Sequence, residues 1–153
     1  MRIGVLADTH AISFEEVPRK IVAALSTVDL IIHAGDFTTT ETLNGLKQLG
    51  EVKAVQGNMD SSEIKSTLPV KEIIEAKNKR IGIIHGSGPP WGIEQRVREM
   101  FDQQVDIIVY GHSHEPQNKV IDGILFFNPG KATSSFGFLT IEEDIQGEII
   151  SSK

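Results

Sequence analysis

Short continuous apolar runs alternate with stretches of helical spacing through the first third of the chain. Ile3-Gly4-Val5-Leu6-Ala7 reads as a buried strand within Arg2 to Ala7, and Glu15-Glu16-Val17-Pro18 opens a helix on which Ile21, Val22, Leu25 and Val28 recur at helical intervals. Leu30-Ile31-Ile32-His33 is a second buried strand. Thr38 to Thr42 offers N-cap residues for a helix carrying Leu43, Leu46 and Leu49, which Gly50 stops. Val52 to Val55 is a third strand, running into Gly57-Asn58-Met59-Asp60. Strand, helix, strand, helix, strand in this order implies a parallel sheet with right-handed crossovers.

The second half changes character. Val70 to Ala76 and Arg80 to Ile84 flank Asn78-Lys79 as a hairpin, and a Gly88-Pro89-Pro90-Trp91-Gly92 loop precedes a helical stretch from Ile93 to Phe101. Ile107 to Tyr110 is another buried strand, Asp122-Gly123 marks a hairpin turn between Val120 and Leu125, and strand-like runs come next at Phe136 to Ile141 and Glu148 to Ile150. The pattern predicts a mixed α/β protein with two packed sheets.

The residues just beyond the strands carry the chemistry. Asp8 and His10, Asp36, Asn58, His85, and finally His112 and His114 stand directly after five separate strands. An isolated Asp-x-His is more often a helix cap beside a loop histidine, and each of these short motifs is common by itself. In α/β sheets, however, ligands bind beyond the carboxyl ends of the strands, so one fold brings all five loops to one place.

Composition narrows the choice of chemistry. The 153 residues suit a single domain spanning 1–153, and 39% hydrophobic with 24% charged residues is ordinary for a soluble globular protein. A net charge of −6 argues against a general nucleic-acid surface. The absence of cysteine excludes disulfides and thiolate ligands, so any metal sits among nitrogen and oxygen donors. The N-terminal apolar run is interrupted by Asp8 and is too short for a signal or membrane-spanning helix, which leads to an expected cytoplasmic location.

The ordered series D-x-H, G-D, G-N-x-D, H-G and G-H-x-H resembles the calcineurin-like metallophosphoesterase superfamily, from residue 1 to about residue 140. The small size, the segment Ile31 to Asp36, and Asn128-Pro129-Gly130 after Gly-His-Ser-His are most similar to the small bacterial and archaeal YfcE-like phosphodiesterases. The resemblance implies an α/β fold with a two-sheet β-sandwich flanked by helices. It also implies two divalent ions bridged by Asp36, one held by Asp8, His10 and His114, the other by Asn58, His85 and His112. Manganese is the expected ion, although iron, cobalt, nickel and zinc also suit the shell. Two cations roughly 3.5–4 Å apart acidify a bridging water and neutralise phosphoryl oxygens. Asn58 is the expected catalytic residue, coordinating through its carbonyl oxygen while its amide contacts phosphate, as no carboxylate could. The implied activity is hydrolysis of a small-molecule phosphate ester by a phosphodiesterase. The alternative is a non-catalytic, metal-binding interaction scaffold, because the small subunit of retromer also resembles this fold; there, however, a histidine of the first motif is replaced, whereas His10 is present here.

Four further positions matter. His33, inside its strand, is expected to support the site or the core rather than to ligate. Trp91 with Pro89 and Pro90 suits a crevice wall, a self-anchored loop or a partner patch, and Lys131, where relatives carry serine, reads as a solvated lysine. Met59 stands where the wider superfamily often has a histidine placed to protonate the leaving group, and it has no proton to give. Asp60 or water is left as a partial substitute.

Overall fold

The computed structural model describes residues 1–153. In chain order the strands are β1 (Arg2–Leu6), β2 (Leu30–His33), β3 (Val52–Ala54), β4 (Lys71–Ala76), β5 (Lys79–Ile84), β6 (Ile107–Val109), β7 (Gln117–Ile121), β8 (Ile124–Asn128), β9 (Ser135–Ile141) and β10 (Ile145–Ser151). The helices are α1 (Arg19–Leu25), α2 (Thr40–Leu49), α3 (Ser62–Thr67) and α4 (Ile93–Glu99). Two five-stranded sheets form, ordered β10-β9-β1-β2-β3 and β4-β5-β6-β8-β7.

Period-2 alternation decides what each face of β1 touches. Ile3, Val5 and Ala7 point between the sheets, where they join Ile32 and Ala34 in a buried cluster with Ile81, Ile83, Ile107, Val109 and Phe127 of the second sheet. Leu6 and Ile31 point outward beneath Ile21 and Leu25 of α1 and Leu43 and Leu46 of α2. A third cluster packs Ile93 and Val97 of α4 on Ile84, Ile108 and Phe126. Each such fully buried side chain contributes roughly 1.5–3 kcal/mol of hydrophobic free energy, so the sandwich has cores on both sides of each sheet. This is the expected two-sheet β-sandwich flanked by helices.

Parallel pairing is confined to the strands that matter for the site. β1 pairs with β2 and β2 with β3 in parallel, as do β5 with β6 and β6 with β8, while β4, β7, β9 and β10 pair antiparallel at the margins. Both predicted hairpins are present, the first turning at Lys77 and Asn78, one residue earlier than the expected Asn78-Lys79; Lys77 and Asn78 have φ 50° and 67° and Asp122 and Gly123 49° and 79°, the left-handed pairs that a two-residue turn requires.

Local differences have local causes. The predicted first helix is a single 3-10 turn over Phe14–Glu16, followed by α1, which starts only after Pro18. α4 ends at Glu99, short of the expected Phe101. The short helix α3 carries only Ile64 as a buried residue, too few to show a period; its signal was Ser61, whose side chain caps the Ile64 amide at 3.3 Å.

Candidate metal centre

The carboxyl ends of β1, β2, β3, β5 and β6 open onto one crevice, and the loops leaving them are unusual in backbone as well as side chain. Asp8, His10, Asp36, His112 and His114 all have positive φ, between 47° and 69°. A left-handed conformation costs a non-glycine residue about 1 kcal/mol or more, so such a group of them is held in place by its surroundings. Those surroundings are visible: the Asp8 amide donates to the Gly35 carbonyl and the His10 amide to the Asp36 carbonyl, both at 3.0 Å, lacing the first loop to the second.

Six side chains converge as a result. Asp8, His10 and His114 each bring a ligand atom within 4.8 Å of the others, and Asp8, Asp36 and His85 do the same. His10 Nε2 lies 3.7 Å from Asp8 Oδ1 and 3.6 Å from Asp36 Oδ2, while His114 Nε2 lies 3.6 Å from Asp8 Oδ1. His85 Nε2 faces Asp36 Oδ2 at 3.2 Å, Asn58 Oδ1 at 3.1 Å and Asp8 Oδ1 at 3.8 Å. Asp8 is thus common to both groups, and Asp36 Oδ2 faces a histidine of each. His112 approaches differently: its backbone amide donates to Asp8 Oδ2 at 3.1 Å, and its ring stands edge-on to His85 at 5.2 Å.

The tautomers are set by the partners. His85 Nδ1 lies 2.7 Å from the Ala34 carbonyl, an acceptor only, so Nδ1 carries a proton and Nε2 is the nitrogen turned to the crevice. In His112 the Gly88 carbonyl, 3.1 Å from Nε2, fixes the proton there and leaves Nδ1 as the basic nitrogen. The Gly88 carbonyl is itself positioned from α4. Arg96 donates to the carbonyls of Ser87 at 2.9 Å and Trp91 at 3.0 Å and to that of Pro89, binding the whole loop around one guanidinium. Sequence reading missed this role of Arg96, whose only sign was an arginine one helical turn into α4 after a Pro-Pro-Trp-Gly loop.

Other supports surround the crevice. His33 is fully buried; its Nδ1 accepts the Gly35 amide at 3.0 Å, its Nε2 meets Thr9 Oγ1 at 3.2 Å, and it stacks on Phe37 at 3.6 Å. Burial drives its pKa down to about 3, so it is a neutral support, as expected. Asp60 is different from its expected part. Its carboxylate accepts the amides of Asp36 (3.0 Å), Thr38 (2.8 Å) and Gly57 (2.8 Å), which makes it the fastener of the second and third loops rather than a spare acid. Met59 is 59% exposed, and its amide serves the site, donating to Asp36 Oδ1 at 2.8 Å. Asn128, at the end of β8, donates to the Gly111 carbonyl at 3.3 Å and to Ser113 Oγ at 3.0 Å, so it steadies the Gly-His-Ser-His loop.

The electrostatics of the crevice are those of a site built for a cation. Burial raises the Asp8 carboxyl from 3.8 to about 7, against the pull of His85. Burial also acts on Asp36, but contact with His85, the Met59 amide and His10 hold that carboxyl below its ordinary value. Burial opposes charge on His85, yet Asp36 and Asp8 outweigh it and its pKa rises. His112 and His114 are both lowered by burial, reinforced by His85 and His10 respectively. Asp8 Oδ1 and His10 Nε2 are buried with no hydrogen-bond partner, although polar atoms surround them. Buried polar atoms are ordinarily paired, and a carboxylate oxygen and an imidazole nitrogen left together without hydrogen-bond partners suit a shared divalent ion. The backbone leaves room for this. A Cβ on Gly57 would overlap Asp36 Oδ1, and one on Gly111 would come within 3.0 Å of Asp8 Oδ2. Residues, donor atoms and space therefore fit a metal centre in a nitrogen and oxygen shell.

Fold and crevice define a metallophosphoesterase-type protein, and the comparisons agree. The profile of the calcineurin-like phosphoesterase superfamily domain matches residues 1–143. The chain belongs to that superfamily. It is 38% identical over 159 residues to a probable metallophosphoesterase of Methanocaldococcus jannaschii, covering 98% of this chain and 81% of that protein. A phosphodiesterase of the same archaeon is 28% identical over 158 residues, covering 92% and 87%. Among solved structures, Vps29 of Entamoeba histolytica complexed with zinc superimposes with a TM-score of 0.74 at 26% identity, covering 100% of both chains. No helix is long and apolar enough to cross a membrane.

Proposed function

We propose that the protein is a metal-dependent phosphodiesterase whose 153 residues act as one catalytic domain on small-molecule phosphate esters. The observation that carries this reading is the orphaned pair Asp8 Oδ1 and His10 Nε2 at the centre of the converging histidines and carboxylates. Asp8, His10 and His114 would hold one divalent ion and Asn58, His85 and His112 a second, with Asp36 between them; manganese is the ion proposed. Cations bound there acidify coordinated water and offset phosphoryl negative charge.

The chain's own residues do the remaining work. Asn58 turns its Oδ1 toward His85 and keeps its amide donors free for a phosphoryl oxygen. The carbonyls of Ala34 and Gly88 hold the His85 and His112 rings in the required tautomers, which lowers the cost of ordering them when an ion binds. Asp60 fixes the loops that carry Asp36 and Asn58.

The likeness to Vps29 favours a second reading, an interaction scaffold that retains a metal site. Turnover separates the two. Purified protein with added Mn²⁺ is expected to hydrolyse an aryl phosphodiester, with the activity lost in Asp36→Ala and His112→Ala. Metal binding without hydrolysis across mono-, di- and cyclic esters would establish the scaffold instead.

A further inference from the structure

A cleft of about 470 Å³ leads away from the crevice between α3 and α4, and Asn58 and His85 line both. The volume is in the range of small-molecule pockets, roughly 300–1,000 Å³. Val70, Ile84, Val97 and Met100 make its apolar surface, and Val70 and Met100 are 55% and 44% exposed although both are apolar. Among the polar groups around them, Glu99 is a carboxylate that accepts from Gln95 at 3.3 Å, and the donors Arg96, Gln56 and Lys65 are engaged. Arg96 is committed to the Ser87, Pro89 and Trp91 carbonyls, and the Gln56 amide donates to the carbonyls of Lys65 at 3.0 Å and Leu68 at 2.8 Å. Lys65 donates to the Asn58 carbonyl at 3.1 Å, at the end of the cleft nearest the crevice. The surface still open to a ligand is mainly aliphatic and thioether, with the Glu99 carboxylate beside it, and is continuous with the place assigned to the phosphoryl group.

We propose that this cleft receives one organic arm of the substrate, an uncharged ring system of aryl or nucleoside size, and so makes the protein selective for bulky phosphate esters over small alkyl ones. The inference rests on the phosphoesterase reading for its anchor, because the arm is held by an ester whose phosphorus lies beside Asn58 and His85. Its chemistry is separate: apolar contact with Val70 and Met100 supplies the discrimination, and one or two buried methylene equivalents are worth about tenfold or more in affinity.

Binding rather than turnover tests it. Titration calorimetry on the Zn²⁺-loaded full chain compares diphenyl phosphate with dimethyl phosphate, in the parent and in the uncharged variants Val70→Ser and Met100→Ser. Diphenyl phosphate is expected to bind at least about tenfold more tightly than dimethyl phosphate in the parent, and each substitution to remove most of that advantage. Affinity for dimethyl phosphate and for Zn²⁺ should not change. A second measurement needs no mutation: in ¹³C-methyl methionine spectra diphenyl phosphate should shift Met100 but not Met59, and dimethyl phosphate neither. Equal affinities in the parent, variants that weaken both anions alike, or a shift at Met59 in place of Met100 would each overturn the assignment. Cleft-dependent binding with no hydrolysis would leave this inference standing and remove the proposed activity; hydrolysis without cleft dependence would do the reverse.

Discussion

Replacing Asp8 by asparagine is expected to stabilise the metal-free protein, by an amount that grows with pH. The carboxyl is fully buried and its folded pKa, about 7, stands well above the ordinary 3.8. A carboxyl with a raised folded pKa keeps its proton better in the native state, so its share of stability is complete below the unfolded value and is lost as pH rises through the folded one. At about 1.36 kcal/mol per unit, the loss grows from roughly 2 kcal/mol at pH 5 to roughly 4 kcal/mol at pH 8. Asparagine escapes it, having no charge to bury, and it tolerates the positive φ of this position at least as well. Its carbonyl can still accept the His112 amide. The assay is urea unfolding in the presence of chelator at pH 5 and pH 8. The stability gap between variant and parent should widen by about 2 kcal/mol, which is roughly 4–8 °C in Tm for a chain of this size. Excess Mn²⁺ should reverse the order, since an ion that binds only the native parent stabilises it by mass action. A gap that is the same at both pH values, or a parent more stable than the variant at pH 8 in chelator, would refute the account of Asp8 as a buried charge awaiting a cation.

Three further outcomes are expected. Arg96→Met should cost about 10–100-fold in metal affinity by releasing the carbonyl that orients His112, with far-ultraviolet circular dichroism unchanged, and Arg96→Lys should not restore it because an ammonium cannot span three carbonyls. Bound metal should be released as pH falls from 8 to about 5, because Asp8 and His85, one from each ligand set, both have raised folded pKa values and take up protons in competition with the ion; metal analysis after dialysis at stepped pH checks it. Hydrolysis should slow steeply as the leaving group becomes more basic, since Met59 has no proton and Asp60 is tied to three amides, and Met59→His should flatten the slope; a flat dependence in the parent with chemistry rate-limiting means that another residue protonates the leaving oxygen.

The strands, most of the helices, both hairpin turns and the candidate residues were legible along the chain, because each depends on local pattern. Ile3, Val5 and Ala7 alternate with Leu6 whatever the rest of the fold does, and a histidine or carboxylate directly beyond a strand announces itself by position. Parallel pairing of β1, β2 and β3 then carries Asp8, Asp36 and Asn58 to one edge, which the order of elements already implied. Only the tertiary structure decided how those residues meet. The left-handed backbone of Asp8 and His10 depends on carbonyls far along the chain, at Gly35 and Asp36, and no local propensity encodes such a bond. Asp60 looked like an available acid until three loop amides were seen to occupy it. Arg96 belongs to no motif along the chain, and its hold on the loop that orients His112 comes from packing α4 against β5 and β6. A side chain's type is fixed by sequence, but its partners, its tautomer and its pKa are set by groups that folding brings from elsewhere, so chemistry of the crevice is where sequence reasoning gave way to geometry.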